Sequence, residues 1–261
     1  MRKLRDVQNE KDYRGIYLRK VGIKNISWPI KVVTKEGSIQ NTVASFDISV
    51  DLRYDVRGTH MSRFVEILNE MELLNPEKLE DILKKVKNKL KADNSHIKII
   101  FPYFIYKKTP VSHIIVPNRI ECVIEAELYK KLDMIVGIKV PIHTLCPCSK
   151  EISNFGAHNQ RAIAEIYIRS KKMIWFEDLV SIAENSASAP IYSLLKRGDE
   201  KYITEYAFQN PKFVEDVVRD VVSELEKNNK ITWYKVEVTS FESIHSHEAF
   251  ASVEKGWENK K

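Results

Sequence analysis

One order of segments is written twice along this chain: two strand-like stretches, two helix-like stretches, then two more strand-like stretches. A chain built this way is restricted to folds in which that unit recurs, and the period of its apolar residues is what reveals it. In the first half, strands are expected near 22–33 and 39–55, followed by a helix from Ser62 that carries Phe64, Val65, Ile67, Leu68 and Met71 on one face. A second helix is expected to start at Asn75-Pro76, where an Asn side chain can cap free amides and Pro presets the first-turn dihedral. Leu79, Ile82, Leu83, Val86 and Leu90 form its buried stripe. Strands near 96–106 and 117–128 complete the half. In the last of these, Ile120, Cys122, Ile124, Ala126 and Leu128 alternate with Arg119, Glu121, Glu125 and Glu127, which makes one face buried and Cys122 a core thiol.

The second half opens with strands expected near 133–143 and 158–169 and a helix near Trp175 to Glu184. Another helix is expected to begin at Asn210-Pro211, with Phe213, Val214, Val217, Val218, Val221, Val222 and Leu225 as its apolar face. Strands near 231–240 and 247–254 close the unit. The fold class expected is α+β, with an N-terminal unit over 1–130, including a charged extension, and a C-terminal unit over 131–261. The halves differ in the stretch Ser186 to Gln209 between the paired helices, and long connections of this kind are usually functional.

Composition narrows the function classes. Hydrophobic residues at 43% and charged residues at 30% are globular values, and no apolar run approaches the roughly 18 residues of a membrane span. The formal charge of +6 is spread without a basic block, which argues against nucleic acid and suits a small polyanionic substrate. Met1-Arg2-Lys3-Leu4-Arg5-Asp6 lacks the apolar core of a secretory signal, so a cytoplasmic location is expected. Three cysteines do not make a disulfide framework.

Two of those cysteines lie in Cys146-Pro147-Cys148, and His158 follows closely enough to meet Cys146 across a turn. A thiolate and an imidazole suit a borderline-soft metal such as zinc. Gly198-Asp199-Glu200-Lys201-Tyr202 reads as a flexible turn whose Glu200 reaches back as a third ligand. One Cys, one His and one carboxylate leave an open position for water of lowered pKa, which implies hydrolytic chemistry. The plainer alternative makes the cysteines small buried residues, His158 a turn partner and Glu200 a solvated charge; spacing alone leaves both standing. In Glu242-Ser243-Ile244-His245-Ser246-His247-Glu248, the histidines at i and i+2 point the same way if extended and can shuttle protons, or else form a wet surface hairpin. Glu215, early in its helix, either complements the macrodipole or accepts hydrogen bonds from a guanidine-like edge.

Leu145-Cys146-Pro147-Cys148-Ser149-Lys150-Glu151-Ile152-Ser153, followed by Gly156-Ala157-His158-Asn159-Gln160-Arg161, resembles the signature of type IB GTP cyclohydrolase I. Gly58-Thr59-His60-Met61-Ser62-Arg63-Phe64, Asn210-Pro211-Lys212-Phe213-Val214-Glu215-Asp216 and Glu242 to Phe250 resemble further motifs of that family, in the same order. The resemblance implies tandem tunnelling-fold units, each ββααββ, that assemble into barrels with active sites between subunits of a homotetramer. It implies conversion of GTP and water to 7,8-dihydroneopterin triphosphate and formate, the entry to tetrahydrofolate synthesis. The implied metal ligands are Cys146, His158 and Glu200, holding zinc, manganese or iron. Cys146, His158, His245 and His247 are then the catalytic group. Glu215 anchors guanine, and His60, Arg63, Lys150, Arg161, Lys196 and Arg197 are candidates for the triphosphate, of which Arg63 and Lys150 gain from lying inside family-like motifs while Lys196 and Arg197 read more simply as solvated charges. The role of Cys148 stays open. Three other readings are archaeal-type relatives that make a cyclic phosphate product, nitrile reduction with Cys146 as nucleophile, and a binding module whose metal is structural, with Cys148 as fourth ligand.

Overall fold

The computed structural model describes residues 6–8, 10–71, 73–75 and 78–256. Pro76, expected at a helix start, and Met1 to Arg5 lie outside the described residues. Two compact units emerge, and no single cut in the chain separates them. Unit 1 combines Met1–Phe101 with Val123–Ile135, and unit 2 combines Pro102–Cys122 with Val136–Lys261.

In unit 1, β1 (Leu18–Val33) and β2 (Ile39–Leu52) form a long antiparallel pair, followed by α1 (Ser62–Asn69), β3 (Leu73–Leu74) and α2 (Leu79–Leu90). The first part of β4 (Ser95–Lys108) and the last part of β5 (Ile115–Leu128) complete a strand order of β3-β1-β2-β4-β5. Alternation drives this half: Ala44, Phe46, Ile48 and Val50 of β2 are buried, as are Phe64, Ile67 and Leu68 of α1 and Leu79, Leu83 and Val86 of α2. The Ser95 hydroxyl donates to the Leu83 carbonyl at 2.9 Å, tying α2 to β4. Helix α2 begins at Leu79 with Lys78 as N-cap, later than the Asn75 start expected. The Asn75 carbonyl accepts the Lys78 N–H, closing a turn ahead of the helix.

Unit 2 contains the rest of β4 and β5, then β6 (Leu132–Leu145), α3 (Pro147–Ile152), β7 (Asn159–Ser170) and α4 (Phe176–Ser186). It continues through β8 (Ala189–Pro190), α5 (Arg197–Gln209), α6 (Val214–Glu226), β9 (Ile231–Ser240) and β10 (Ala249–Glu254). The strand order is β10-β9-β7-β6-β5-β4, with β8 beside β6. The β10–β9, β9–β7, β7–β6 and β6–β8 pairs are all antiparallel. Ile138, Val140 and Ile142 of β6, Ala162, Ala164 and Ile166 of β7, and Val217, Val221 and Leu225 of α6 form the core. Cys122 is fully buried, and that burial pushes its thiol well above the usual range.

Two local expectations are corrected in this unit. Asn210-Pro211 does not start α6. Asn210 is the C-cap of α5, and its amide donates to the carbonyls of Ala187 and Ser188 at 3.0 and 3.3 Å. Helix α6 starts at Val214, where the Asp216 carboxylate accepts the Phe213 N–H at 3.0 Å. Nor is the Ser186–Gln209 stretch a flexible turn around Glu200, since it holds β8 and the 13-residue helix α5. Among the described residues, no helix is long and apolar enough to cross a membrane.

Candidate functional site

Strands β6 and β7 pair with Thr144 opposite Gln160 and Leu145 opposite Asn159. Successive side chains on a strand point to opposite faces, so the ends of these strands line two cavities. Thr144, Cys146, His158 and Gln160 border one of about 290 Å³, together with Glu215 from the first turn of α6 and Glu242, His245 and His247 from the segment between β9 and β10. The alternate residues His143, Leu145, Asn159 and Arg161 border the other, of about 600 Å³, with Glu200, Thr204 and Phe208 of α5.

The meeting of Cys146 and His158 has a local cause. The Cys146 N–H donates to the His158 carbonyl at 3.1 Å, which closes the intervening loop like a hairpin. Gly156 makes this possible by adopting φ +70°, a region disfavoured for residues with a Cβ. Cys146 is also the N-cap of α3: its extended backbone leads into Pro147, and its sulfur accepts the Ser149 N–H at 3.4 Å. The Ser149 hydroxyl in turn accepts the His158 N–H at 3.0 Å.

A polar network supports the His158 ring. Its Nδ1 lies 3.0 Å from Oε1 of Gln160 and 3.9 Å from a Glu242 carboxylate oxygen. Glu242 accepts the Ser240 hydroxyl at 2.8 Å and the Gln160 amide at 3.3 Å. The His245 ring meets the His158 ring edge-on, with centroids 6.3 Å apart, and stacks on His247 at 5.1 Å. Reading the sequence did not single out Gln160 or assign Glu242 a role. The available signal was parity, since Gln160 follows His158 by two residues and so shares its face.

Glu200 lies in the first turn of α5 and borders the larger cavity. The Lys150 ammonium donates to the Phe208 carbonyl and sits 4.5 Å from the centre of that ring. Cys148 is exposed. His60 and Arg63 belong to unit 1, where His60 faces Asp6 at 3.4 Å and Arg63 donates to the Lys89 carbonyl at 3.0 Å. The structure thus gathers Cys146, His158, Glu215, His245 and His247 around one cavity and leaves Glu200 on the next.

Helix α5 is held by the residue beside Glu200. The buried Asp199 carboxylate accepts the Val111 and Ser112 N–H groups, each at 2.8 Å, the Ser112 hydroxyl at 2.6 Å and the Lys196 N–H at 3.0 Å. Burial acts to raise this carboxyl, but the hydrogen bonds from Ser112, Lys196 and Val111 outweigh it and hold Asp199 far below the usual carboxylate range. Among the described residues, no three His, Cys, Asp or Glu side chains are disposed to hold one metal ion. On the smaller cavity, the sulfur of Cys146 and the imidazole of His158, brought together by the closed loop, have the chemistry that fits a borderline-soft divalent ion, as do the imidazoles of His245 and His247.

A family model for type I GTP cyclohydrolase FolE2 matches residues 4–251. The chain is 78% identical over 254 residues to the GTP cyclohydrolase FolE2 of Dictyoglomus turgidum, covering 97% of this chain and 99% of that protein. It is 56% identical over 253 residues to the GTP cyclohydrolase FolE2 of a Thermotoga species, covering 97% and 98%. Among solved structures, urate oxidase from Bacillus sp. TB-90 superposes with a TM-score of 0.53 at 10% identity, over 92% of this chain and 99% of that one. At that identity the likeness concerns the fold: a mixed α/β architecture dominated by a large antiparallel sheet.

Proposed function

Because the chain belongs to the type I GTP cyclohydrolase FolE2 family, we propose that it hydrolyses GTP to 7,8-dihydroneopterin triphosphate and formate, the first step toward tetrahydrofolate. The observation that carries this reading is the convergence of a thiol, three imidazoles and the Glu215 carboxylate on one cavity. Opening the guanine imidazole ring needs water at C8, a proton for the departing nitrogen and further proton transfers as the ribose rearranges.

Glu215, exposed at the mouth of the cavity, accepts the paired N–H donors of the guanine edge. Adenine cannot present that pair and leaves carboxylate oxygens short of partners, which gives base selectivity. His245 gives and takes the protons at the ring, and His247, stacked on it, fixes its plane. Cys146, His158 and Glu200 would hold a divalent ion, zinc or alternatively manganese or iron; when bound, such an ion supplies Lewis acidity that lowers the pKa of water. Glu200 borders the neighbouring cavity, so its participation requires a rearrangement in the first turn of α5. Arg63, Lys150 and His60 are the cations for the triphosphate.

Phe241, Ile244 and Phe250 are exposed beside the histidines. Apolar surface of this kind next to a reactive cavity favours a site closed by a second copy of the chain. The proposal therefore includes tandem ββααββ tunnelling-fold units that pair into barrels within a cytoplasmic homotetramer.

The test is incubation with GTP and Mg²⁺, Mn²⁺ or Zn²⁺, read as pterin fluorescence after oxidation. Chromatography before and after phosphatase separates a triphosphate product from a cyclic phosphate. The Glu215→Gln variant keeps one accepting oxygen but sets an N–H against the other guanine donor, which costs one charge-assisted hydrogen bond of about 1.5–3 kcal/mol, so kcat/KM should fall by about ten- to a hundredfold or more. No fluorescence with any of the metals sinks the proposal.

A further inference from the structure

We propose that Gln160 is a positioning residue that fixes the tautomer of His158, and that Glu242 does so indirectly by setting which way the Gln160 amide points. The inference rests on the metal-holding role of His158 given above, and it concerns which ring nitrogen is left to bind.

A chain of polarity leads from Glu242 through Gln160 to His158. A carboxylate only accepts hydrogen bonds, whereas a carboxamide has one accepting and one donating end. Glu242 Oε1 is reached by the Ser240 hydroxyl at 2.8 Å and the Gln160 nitrogen at 3.3 Å, so it is served by two donors. Turning the amide over would set its carbonyl against the carboxylate, oxygen facing oxygen, and forfeit the bond. The orientation with Nε2 toward Glu242 is therefore imposed, and Thr144 Oγ1 adds a second acceptor for the same nitrogen at 3.4 Å.

With the nitrogen committed, Gln160 Oε1 must face the other way. It lies 3.0 Å from His158 Nδ1, and the Ser243 hydroxyl donates to it at 3.4 Å. An amide oxygen cannot donate, so Nδ1 of a neutral His158 has to carry the proton. Nε2 is then the nitrogen with the free lone pair, and among the described residues it has no hydrogen-bond partner. Imidazole in water prefers the opposite tautomer, with its proton on Nε2, which blocks the nitrogen needed to hold an ion. Partners of ligating histidines that fix ring and tautomer in this way typically affect metal affinity by about 10- to 100-fold.

The experiment uses the full-length chain, free of metal and labelled with ¹⁵N, at a pH where the imidazoles are neutral. Long-range ¹H–¹⁵N spectra report which nitrogen of His158 carries the proton, with resonances assigned by their loss in His158→Gln. The wild type should show the proton on Nδ1. Glu242→Gln, which is isosteric, frees the amide to turn over and should give mixed tautomers, as should Gln160→Met. Titration of Mn²⁺ and Zn²⁺ against a chromogenic chelator should show about 10- to 100-fold weaker binding in both variants. The double variant Gln160→Glu/Glu242→Gln exchanges the carboxylate and the amide and again offers Nδ1 an acceptor, so it should restore both readouts. A purely structural role would not predict that rescue.

A wild-type proton on Nε2, or an unchanged tautomer in Glu242→Gln, overturns the inference. If Gln160→Met fails to fold, Glu242→Gln and the double variant carry the test. The tautomer readout needs no metal, so it decides this point even where Mn²⁺ and Zn²⁺ fail to bind, an outcome that instead counts against His158 as a metal ligand.

Discussion

Replacing Lys107 by Met should destabilise unit 2 strongly at neutral pH and much less in mild acid. Lys107, near the end of β4, and Glu184, on α4, form an ion pair in which the side chains are only 12% and 15% exposed. The ammonium also donates to the Ile191 carbonyl and lies 4.6 Å from the centre of the Tyr192 ring. Met fills a similar volume, so the substitution leaves no large void and isolates the charge effect. Removing one partner of a buried pair costs about 3–5 kcal/mol, because the remaining charge is left desolvated. The sign of the pH dependence follows from Glu184, whose carboxyl is raised above its ordinary value by burial, with Lys107 pulling it back down. Without Lys107 the rise is larger. A carboxyl whose folded pKa is raised contributes stability that is complete below its unfolded value, about 4.3, and is lost as pH climbs through the folded value. Urea unfolding of the wild type, Lys107→Met and Lys107→Met/Glu184→Gln at pH 5 and pH 8 provides the measurement. The single variant should lose most at pH 8, and the double should recover most of that loss. A cost below about 1 kcal/mol at both pH values, or no recovery in the double variant, would refute the reasoning. The outcome also bears on function, since Ile191 and Tyr192 border the larger cavity.

Two further outcomes are expected. Asp199→Asn should lower stability at pH 7, because a carboxamide cannot accept from all four donors that the carboxylate serves. Since the Asp199 carboxyl is depressed in the fold, the stability it supplies is present above its unfolded value, about 3.9, and fades as pH falls below that. The gap between variant and wild type in urea should therefore narrow toward pH 3. Gly22→Ala would gain about 0.5–1 kcal/mol in an open strand, but here the new Cβ would lie 2.0 Å from the Ile48 carbonyl oxygen and 2.6 Å from Ser49 Cα. Both are backbone atoms and cannot swing aside, so a loss of about 1–3 kcal/mol or more is expected; a raised melting temperature would contradict it.

What the sequence revealed and what it hid have physical reasons. The strands were readable because alternation in β2, β5, β6 and β7 follows burial on one face of the sheet. Helix α5 was not, because it has almost no apolar stripe: Asp199 and Ala207 are its only buried residues, and a capping carboxylate rather than a hydrophobic face anchors it. Gly198 and the charges around it therefore look like a turn. The Asn210-Pro211 pair misled for a related reason, since an amide that closes one helix has the same composition as one that opens the next. Around the cavity, the nearness of Cys146 and His158 and the shared direction of His245 and His247 were both visible in their spacing. The position of Glu200 depends on the rotational phase of α5, which spacing does not encode. Gln160 was overlooked because a neutral amide has no chemical signature until its neighbours are known.

The pairing of β6 with β7 tolerates change of identity far better than change of length. Deleting one residue between Val136 and Thr144 would turn the rest of β6 over. Thr144 would then look into the larger cavity, and His143 and Leu145 would press against the smaller one. Side chains along this ribbon can drift singly, but an indel exchanges the contents of two compartments at a stroke, so the register of β6 against β7 holds the number of residues from Val136 to Cys146 fixed.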